Sequence, residues 1–235
     1  MHKLSIVIPV YNKSELTQES ILNVTNVCKN IDYEIIVIDD WSSDDTTEIV
    51  SSLYAINKNI SYYRFEENQW VTVARNTGVD LAQWEFICII NNDVIFPDWF
   101  FEKMMSWYKE WIWFINPRFT EWDVTRPSNI LYFKNMLCWC CFMFHRKNRG
   151  VLFPIDTRMR IFGNDNWLHF RNRELWLKQI VKYDAICHHL KSQTSFFIPN
   201  ADRPIFLGIC EEKWWIVEPV YPLPDNELKE DFIFN

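Results

Sequence analysis

The sequence predicts an α/β fold, with a mostly parallel central sheet and helices on both faces. Apolar runs of strand length alternate with amphipathic stretches of helix length through the first half of the chain, which is the pattern of repeated βα units. Two of these runs, Val37-Ile38-Asp39-Asp40-Trp41-Ser42-Ser43-Asp44-Asp45 and Ile89-Ile90-Asn91-Asn92-Asp93-Val94, stop abruptly in carboxylates and amides. Ligands of parallel α/β sheets sit just beyond the carboxyl ends of the strands, so two acidic strand ends imply one crevice with acidic walls. An anionic nucleotide would not bind such walls unaided, but a divalent cation between them reverses the local sign. The chain is therefore expected to be a metal-assisted enzyme that uses a nucleotide.

Each element has a local reason. Ser5–Val10 is a near-continuous apolar run suited to a buried parallel strand, ended by Pro9 and Tyr11-Asn12. Ser14 is the expected N-cap of a helix running to about Lys29, with Leu16, Ile21, Leu22 and Val24 on its apolar face. Glu34–Ile38 forms the second strand and Asp39-Asp40 mark its end. Asp45 with Glu48 reads as a capping box for a helix to about Ile56. Ile60–Phe65, a helix over Val71–Ala82 and a fourth strand over Glu85–Ile90 complete a βαβαβαβ order with right-handed crossovers.

The second half is less regular. A helix is expected over Pro97–Lys109, strands over Ile112–Phe119 and Met136–Phe144, and a loop over Arg118–Asn129. Phe162–Lys178 holds an acidic turn and a helix, and Val181–His189 is a last strand ending in two histidines. Beyond Asn200 the composition turns rich in proline and acid. The expected organisation is one domain over residues 1–200 and a C-terminal extension, 201–235, packing on it.

The chain's 235 residues, 49% hydrophobic and 23% charged, suffice for one well-buried globular domain. Its net charge of -7 argues against nucleic acid, whose phosphates demand a basic face. No apolar run approaches the roughly 18 residues of a membrane span, and no secretory signal precedes the first strand. A cytoplasmic protein is expected, with at most peripheral contact at the inner membrane face. The seven cysteines are an odd number, and Cys28, Cys88 and Cys187 have apolar neighbours, which fits reduced thiols. Cys138-x-Cys140-Cys141 lies in an apolar run with no second ligand pair nearby, so it reads as buried strand rather than metal site.

Several motifs in order give a resemblance. Ser5–Asn12 looks like an opening strand that ends in a proline, an aromatic and an asparagine. Asp39–Ser43 is similar to an Asp-Asp-Gly-Ser-Ser turn, and Ala74-Arg75-Asn76-Thr77-Gly78 to an Ala-Arg-Asn-x-Gly helix. Asn91-Asn92-Asp93 matches an Asp-x-Asp metal position, and Phe162-Gly163-Asn164-Asp165 with Arg171 a later Glu-Asp…Arg element. His188-His189 resembles the histidine-bearing strand that follows. Over roughly residues 3–192 the chain resembles the family 2 glycosyltransferases, inverting enzymes of the GT-A fold, and in its Asn-Asn-Asp form their rhamnosyltransferase-like members.

The resemblance implies sugar transfer from a nucleotide-diphosphate donor to a glycan or lipid-linked acceptor hydroxyl. Mg²⁺ or Mn²⁺ would offset charge on the leaving diphosphate, since both take oxygen ligands. Asp93 is the best ligand, and His189 or His188 would add a nitrogen. The alternative for the histidines is an ordinary hydrogen-bonded pair at a strand end. Asn91 and Asn92 offer only neutral amide oxygens near the donor phosphates. Asp39 and Asp40 would face base and ribose, unless they merely cap turn N–H groups. Pro9, Tyr11 and Asn12 line the same pocket, and Arg75 and Arg171 are candidates for diphosphate contact or for structural ion pairs. Asp165 is the expected general base, or a helix cap, or both. Asn164 replaces the acidic neighbour common in the family, so a second carboxylate that would raise the base's pKa is missing.

Two other readings stand beside this one. The amides at Asn91, Asn92 and Asn164 suit a catalytically inactive glycosyltransferase-like protein that binds nucleotide-sugar or glycan. A sugar-1-phosphate nucleotidyltransferase should open with a glycine-rich basic loop, and Pro9–Ser14 holds no glycine.

One count is abnormal. The chain has 4 glycines and 13 tryptophans, whereas about 16 glycines are expected at this length. Trp41, Trp70, Trp84 and Trp139 stand where the similar enzymes place glycine. Trp41, after Asp40 at a strand-to-turn corner, is expected to need a positive φ. The pattern implies a source that reads UGA as glycine and a sequence translated with UGA as tryptophan. Trp99 stands where an aromatic is expected.

Overall fold

A computed structural model describes residues 3–110, 112–119, 131–132, 140–161, 164–175, 177–190 and 202–213. The elements run β1 (Lys3–Val10), α1 (Ser14–Val27), β2 (Asp32–Asp39), α2 (Thr46–Ile56), β3 (Ile60–Arg64), α3 (Trp70–Leu81) and β4 (Phe86–Ile90). After β4 come β5 (Val94–Ile95), α4 (Phe100–Ser106), β6 (Ile112–Phe119), β7 (Leu131–Tyr132) and β8 (Cys141–His145). A 3₁₀ turn (Arg146–Asn148) leads into α5 (Arg149–Leu152), and α6 (Asn164–Glu174), β9 (Lys178–His189) and α7 (Asp202–Glu212) complete the described chain.

The strands form a sheet in the order β3-β2-β1-β4-β8-β6-β9-β5, with β7 pairing on β9. The first four strands are mutually parallel, as the βα order requires. The second half mixes directions: β8 is antiparallel to β4 and β6, whereas β9 runs parallel to β6. Two reversals around β8 leave β9 pointing the same way as β4. The C-terminal ends of β1, β2, β4 and β9 therefore share one edge.

β1 is buried along Leu4–Val10, and its period-2 alternation feeds two cores. Leu4, Ile6 and Ile8 join Ile35, Val37, Phe86 and Cys88 under α1 and α2. Val7 joins Ile36, Ile38, Ile87 and Ile89 under α3. Gly78 makes the second packing possible: a Cβ there would lie 2.2 Å from Val7 Cγ1 and 3.3 Å from Ile38 Cγ1.

Several local expectations are corrected. Ser14 is the first helical residue of α1, not its N-cap; Lys13 holds that place, and the Ser14 N–H donates to Asp44 Oδ2 from the next loop (3.0 Å). Leu22 is half-exposed, and the buried face of α1 includes Thr17, Ser20, Ile21, Val24 and Val27. Asp45 precedes α2 but makes no side-chain cap bond; Asp44 Oδ1 accepts from Thr46 N–H and Oγ1 instead. The helix expected over Pro97–Lys109 shrinks to α4, because Pro97 to Trp99 form the turn into it. Of the strand expected over Met136–Phe144, Cys141–Phe144 lie in β8, Cys140 lies in a turn, and 136–139 fall outside the described residues. The strand expected over Ile112–Phe119 is β6, so Arg118 and Phe119, counted also in the loop over Arg118–Asn129, belong to the strand.

Residues 202–212 form α7, and its Phe206, Ile209 and Cys210 build a small core with Met159 and Phe170. Residues 214–235 fall outside the described residues. No disulfide joins the described cysteines; Cys28, Cys88, Cys141 and Cys187 are buried in the core and Cys140 is half-buried.

Replacing Gly78 by Ala should destabilise the fold by about 1–3 kcal/mol, the usual cost of forcing extra volume into a packed core. Chemical denaturation of the variant checks this. A loss below about 0.5 kcal/mol would show that α3 does not depend on so close an approach.

Candidate active site

The acidic residues at the strand ends are each committed differently. Asp39, the last residue of β2, is fully buried. Its Oδ1 accepts the Ser42 N–H (2.8 Å), its Oδ2 accepts the Tyr62 hydroxyl (2.5 Å), and Arg64 Nε lies 3.7 Å away. Tyr62 and Arg64 are two residues apart on β3 and so share a face, with Arg64 opposite Asp39 in register. Sequence reasoning missed both, although this spacing was visible. Asp40 accepts the Gln69 N–H (2.6 Å), which ties the end of β2 to the start of α3, and the Trp70 N–H nearby also favours its charged form. Burial pushes its carboxyl up to about 6, with the Asp39 charge adding to the shift and the two N–H bonds opposing it.

The first two loops are clipped together. The Asn12 N–H donates to Ser42 Oγ (2.8 Å), and Asn12 Oδ1 accepts the Ser43 N–H (2.7 Å). Asn12 thus serves as a clip, while the neighbouring Tyr11 ring is 49% exposed and Pro9 is buried within β1.

Three consecutive residues after β4 have three separate partners. Asn91 Oδ1 accepts from Arg75 Nη2 on α3 (3.2 Å), and Asn92 Nδ2 donates to Thr17 Oγ1 on α1 (2.9 Å). Asp93, 1% exposed, lies with Oδ1 3.3 Å from Nε2 of His189, 7% exposed. The short β5–β9 ladder creates this meeting: Val94 pairs with His189, Ile95 with His188, and the Leu190 N–H donates to the Asp93 carbonyl (2.8 Å). Strand alternation turns His189 inward and leaves His188 exposed. Asn92, by contrast, is turned into the packing between β4 and α1.

Arg171 on α6 is placed differently: its guanidinium donates to the Val151 carbonyl (3.3 Å) and to Glu174 (2.8 Å). Asp165 is the second residue of α6, and its side chain falls outside the described residues.

A carboxylate and an imidazole at this separation suit a divalent cation. Neighbouring ligand atoms of an octahedral ion with bonds near 2.1 Å lie about 3 Å apart, close to the observed 3.3 Å. Among the described residues, no group of three or more His, Cys, Asp or Glu side chains is arranged to hold a metal. The described residues would supply two ligands, Asp93 and His189, and a bound anion and water could add others.

The sequence signature of glycosyl transferase family 2 matches residues 5–132, more than half of the chain. The chain belongs to glycosyl transferase family 2. The match covers the loops at Asn12, Asp39 and Asp40, the helix at Arg75 and the Asn91–Asp93 segment, and it stops before α6 and β9.

Two relatives illustrate the family likeness. GalNAc(5)-diNAcBac-PP-undecaprenol beta-1,3-glucosyltransferase of Campylobacter jejuni is 35% identical over 94 residues, 40% of this chain and 30% of that protein. Poly(ribitol-phosphate) beta-N-acetylglucosaminyltransferase TarP of Staphylococcus aureus is 30% identical over 115 residues, 47% of this chain and 34% of that protein. The matched part of the chain spans about a third of each of these relatives.

Solved structures share the GT-A fold. A mannosyltransferase from Pyrobaculum calidifontis, in complex with GDP-Man and Mn²⁺, superposes with a TM-score of 0.66 at 16% identity, covering 82% of this chain and 58% of that one. GalNAc-T7 with UDP, GalNAc and Mn²⁺ gives 0.74 at 15% identity, covering 90% and 48%.

The raised Asp40 pKa sets a pH dependence. A carboxyl whose folded pKa lies above its unfolded value contributes stability below about pH 4, and that contribution is lost as pH rises through about 6. Against an Asp40→Asn variant, which does not titrate, the wild type should lose on the order of 2 kcal/mol of relative stability between pH 4 and 7. Denaturant midpoints of the two proteins across that range check this, and a constant difference would contradict the assignment.

Proposed function

We propose that this family 2 protein transfers a sugar from a nucleotide-diphosphate donor to an acceptor hydroxyl, with inversion at the anomeric carbon. The observation that carries the reading is the Asp93–His189 pair at the carboxyl edge of the sheet, 3.3 Å apart and nearly buried. This donor set fits Mn²⁺ or Mg²⁺, and Mn²⁺ is the ion named with both solved structures. A cation held there would offset the charge that develops on the leaving diphosphate.

The chain's own groups then divide the work. Arg75, steadied by Asn91, supplies positive charge beside the phosphates. Tyr11 offers an exposed ring to the nucleobase, while Pro9, Asn12, Asp39 and Asp40 fix the shape of that pocket. Asp165, in the first turn of α6, receives the proton of the acceptor hydroxyl as that oxygen bonds to the anomeric carbon. The bond from the anomeric carbon to the diphosphate oxygen breaks on the opposite side, and the nucleoside diphosphate leaves with its electron pair. Asn92 and Arg171 act in the scaffold.

The acceptor is a glycan or a lipid-linked glycan, as the names of the relatives suggest. No helix among the described residues is long and apolar enough to cross a membrane. A cytoplasmic location with peripheral contact at the inner membrane face agrees with that chemistry.

A panel of UDP-, GDP- and dTDP-sugars, assayed for donor hydrolysis with Mn²⁺ and with chelator, tests the reading. One donor should be consumed in a metal-dependent way. Asp165→Asn should lower turnover by about 10²–10⁴-fold while nucleotide binding stays nearly intact. Turnover near the wild-type value in that variant would move the base elsewhere.

Asp93→Ala and His189→Ala should each raise the Mn²⁺ concentration needed for nucleotide binding, and His188→Ala should not. Titration of Mn²⁺ against a fluorescent nucleoside diphosphate separates the three. Equal effects at His188 and His189 would contradict the assigned ligand.

A further inference from the structure

Among the described residues other than glycine, four have positive φ: Asn12 (57°), Lys13 (63°), Trp41 (70°) and Trp70 (71°). Asparagine enters this region readily, and Asn12 is held there by bonds to Ser42 and Ser43. Two tryptophans there are a different matter. Both flank the same pair of carboxylates, and in each case the backbone has a reason for the turn.

At position 41 the left-handed residue bends the chain so that the Ser42 N–H reaches Asp39 Oδ1 (2.8 Å). At position 70 it follows Gln69, which is right-handed (φ -106°, ψ 0°). Successive right- and left-handed residues turn their N–H groups into one concavity, a backbone nest for an anion. Here the anion is Asp40, which accepts the Gln69 N–H (2.6 Å) and whose charged form the neighbouring Trp70 N–H also favours. A residue without Cβ meets no steric penalty at either site. Neither side chain is buried: Trp41 is 50% exposed, and the Trp70 ring is half-buried with the Arg160 guanidinium 5.2 Å above it.

We propose that residues 41 and 70 are glycine in the native protein, encoded by a codon that the sequence renders as tryptophan. The composition points the same way, since 4 glycines with 13 tryptophans come close to the glycine share expected of this length. The backbone argument does not extend to Trp84, whose φ is not positive, and Trp139 falls outside the described residues.

Peptide mass spectrometry on the protein isolated from its source tests this directly. The peptides spanning Asp39–Ser43 and Gln69–Thr72 should carry the mass of glycine, and tryptophan in either one overturns the proposal. A recombinant pair gives an independent readout. The W41G/W70G double variant should melt on the order of 5 °C above the chain that carries both tryptophans. Trp99→Gly is the control for removing an exposed indole, because Trp99 has negative φ (-106°); it should give no gain. A double variant that melts no higher, or a gain equalled by Trp99→Gly, also overturns the proposal. Neither readout depends on sugar transfer, so the two readings fail separately.

Discussion

The candidate site depends on a ladder of two residue pairs. Val94 with His189 and Ile95 with His188 join the segment after β4 to the end of β9, and one more backbone bond, Leu190 N–H to the Asp93 carbonyl, locks the junction. Side chains alternate along a strand, so register decides which histidine turns inward. A slip of one residue would replace His189 by His188 beside Asp93. The ladder is too short to hold that register alone. Its support is β6, which pairs along β9 from Ile112 to Phe119 and also touches β8, itself paired with β4. The antiparallel β8 is the spacer that carries the order of the parallel half across to the histidine strand.

The acidic edge is arranged so that its carboxylates do not simply repel one another. Asp39 is neutralised by donors around it: a backbone N–H, the Tyr62 hydroxyl and the nearby Arg64. Asp40 is stabilised by N–H groups at the start of α3, and burial raises its pKa to about 6, so it takes up a proton more readily than an exposed carboxylate. Asp93 faces an imidazole. Three carboxylates from two strand ends thus serve a turn, a helix terminus and a candidate ligand position. The division also explains why α3 is central. It carries Arg75, receives Asp40 at its first turn, and touches β1 and β2 through Gly78.

Much of the first half was legible because each strand is an apolar run closed by polar residues. β1 to β4 and the three helices between them fall within about two residues of expectation. At the helix caps, a tertiary neighbour supplied what a local rule assigned nearby. Asp44 caps α1 from another loop, so Ser14 need not. α7 was hidden by the proline and acids around it, although Pro204 lies in the first turn, where proline is tolerated, and Phe206, Ile209 and Cys210 keep helical spacing. At the site, sequence proposed Asp93 with His189 or His188 as ligands, whereas the register that turns His189 toward Asp93 is set by long-range pairing. It offered two readings each for Asp39, Asp40 and Arg171. The structure gives each of them protein partners, and it adds Tyr62 and Arg64, which no motif had marked.

On the proposed function, a site with one carboxylate and one imidazole carries a single negative charge against a doubly charged cation. Hard divalent ions keep about six ligands, so the protein's two leave most positions to be filled from outside. A diphosphate fills them with oxygens of the required charge, whereas water fills them without charge. Cation and donor therefore stabilise one another, and by linkage each must raise the other's affinity by the same factor. That coupling serves turnover as well as binding. Asp93 and His189 are the two ligands that the described residues bring together there, so the diphosphate would supply much of what holds the ion, and its departure after transfer would loosen the ion as well. The sparse donor set at the end of β4 is thus suited to a cation that arrives and leaves with its nucleotide.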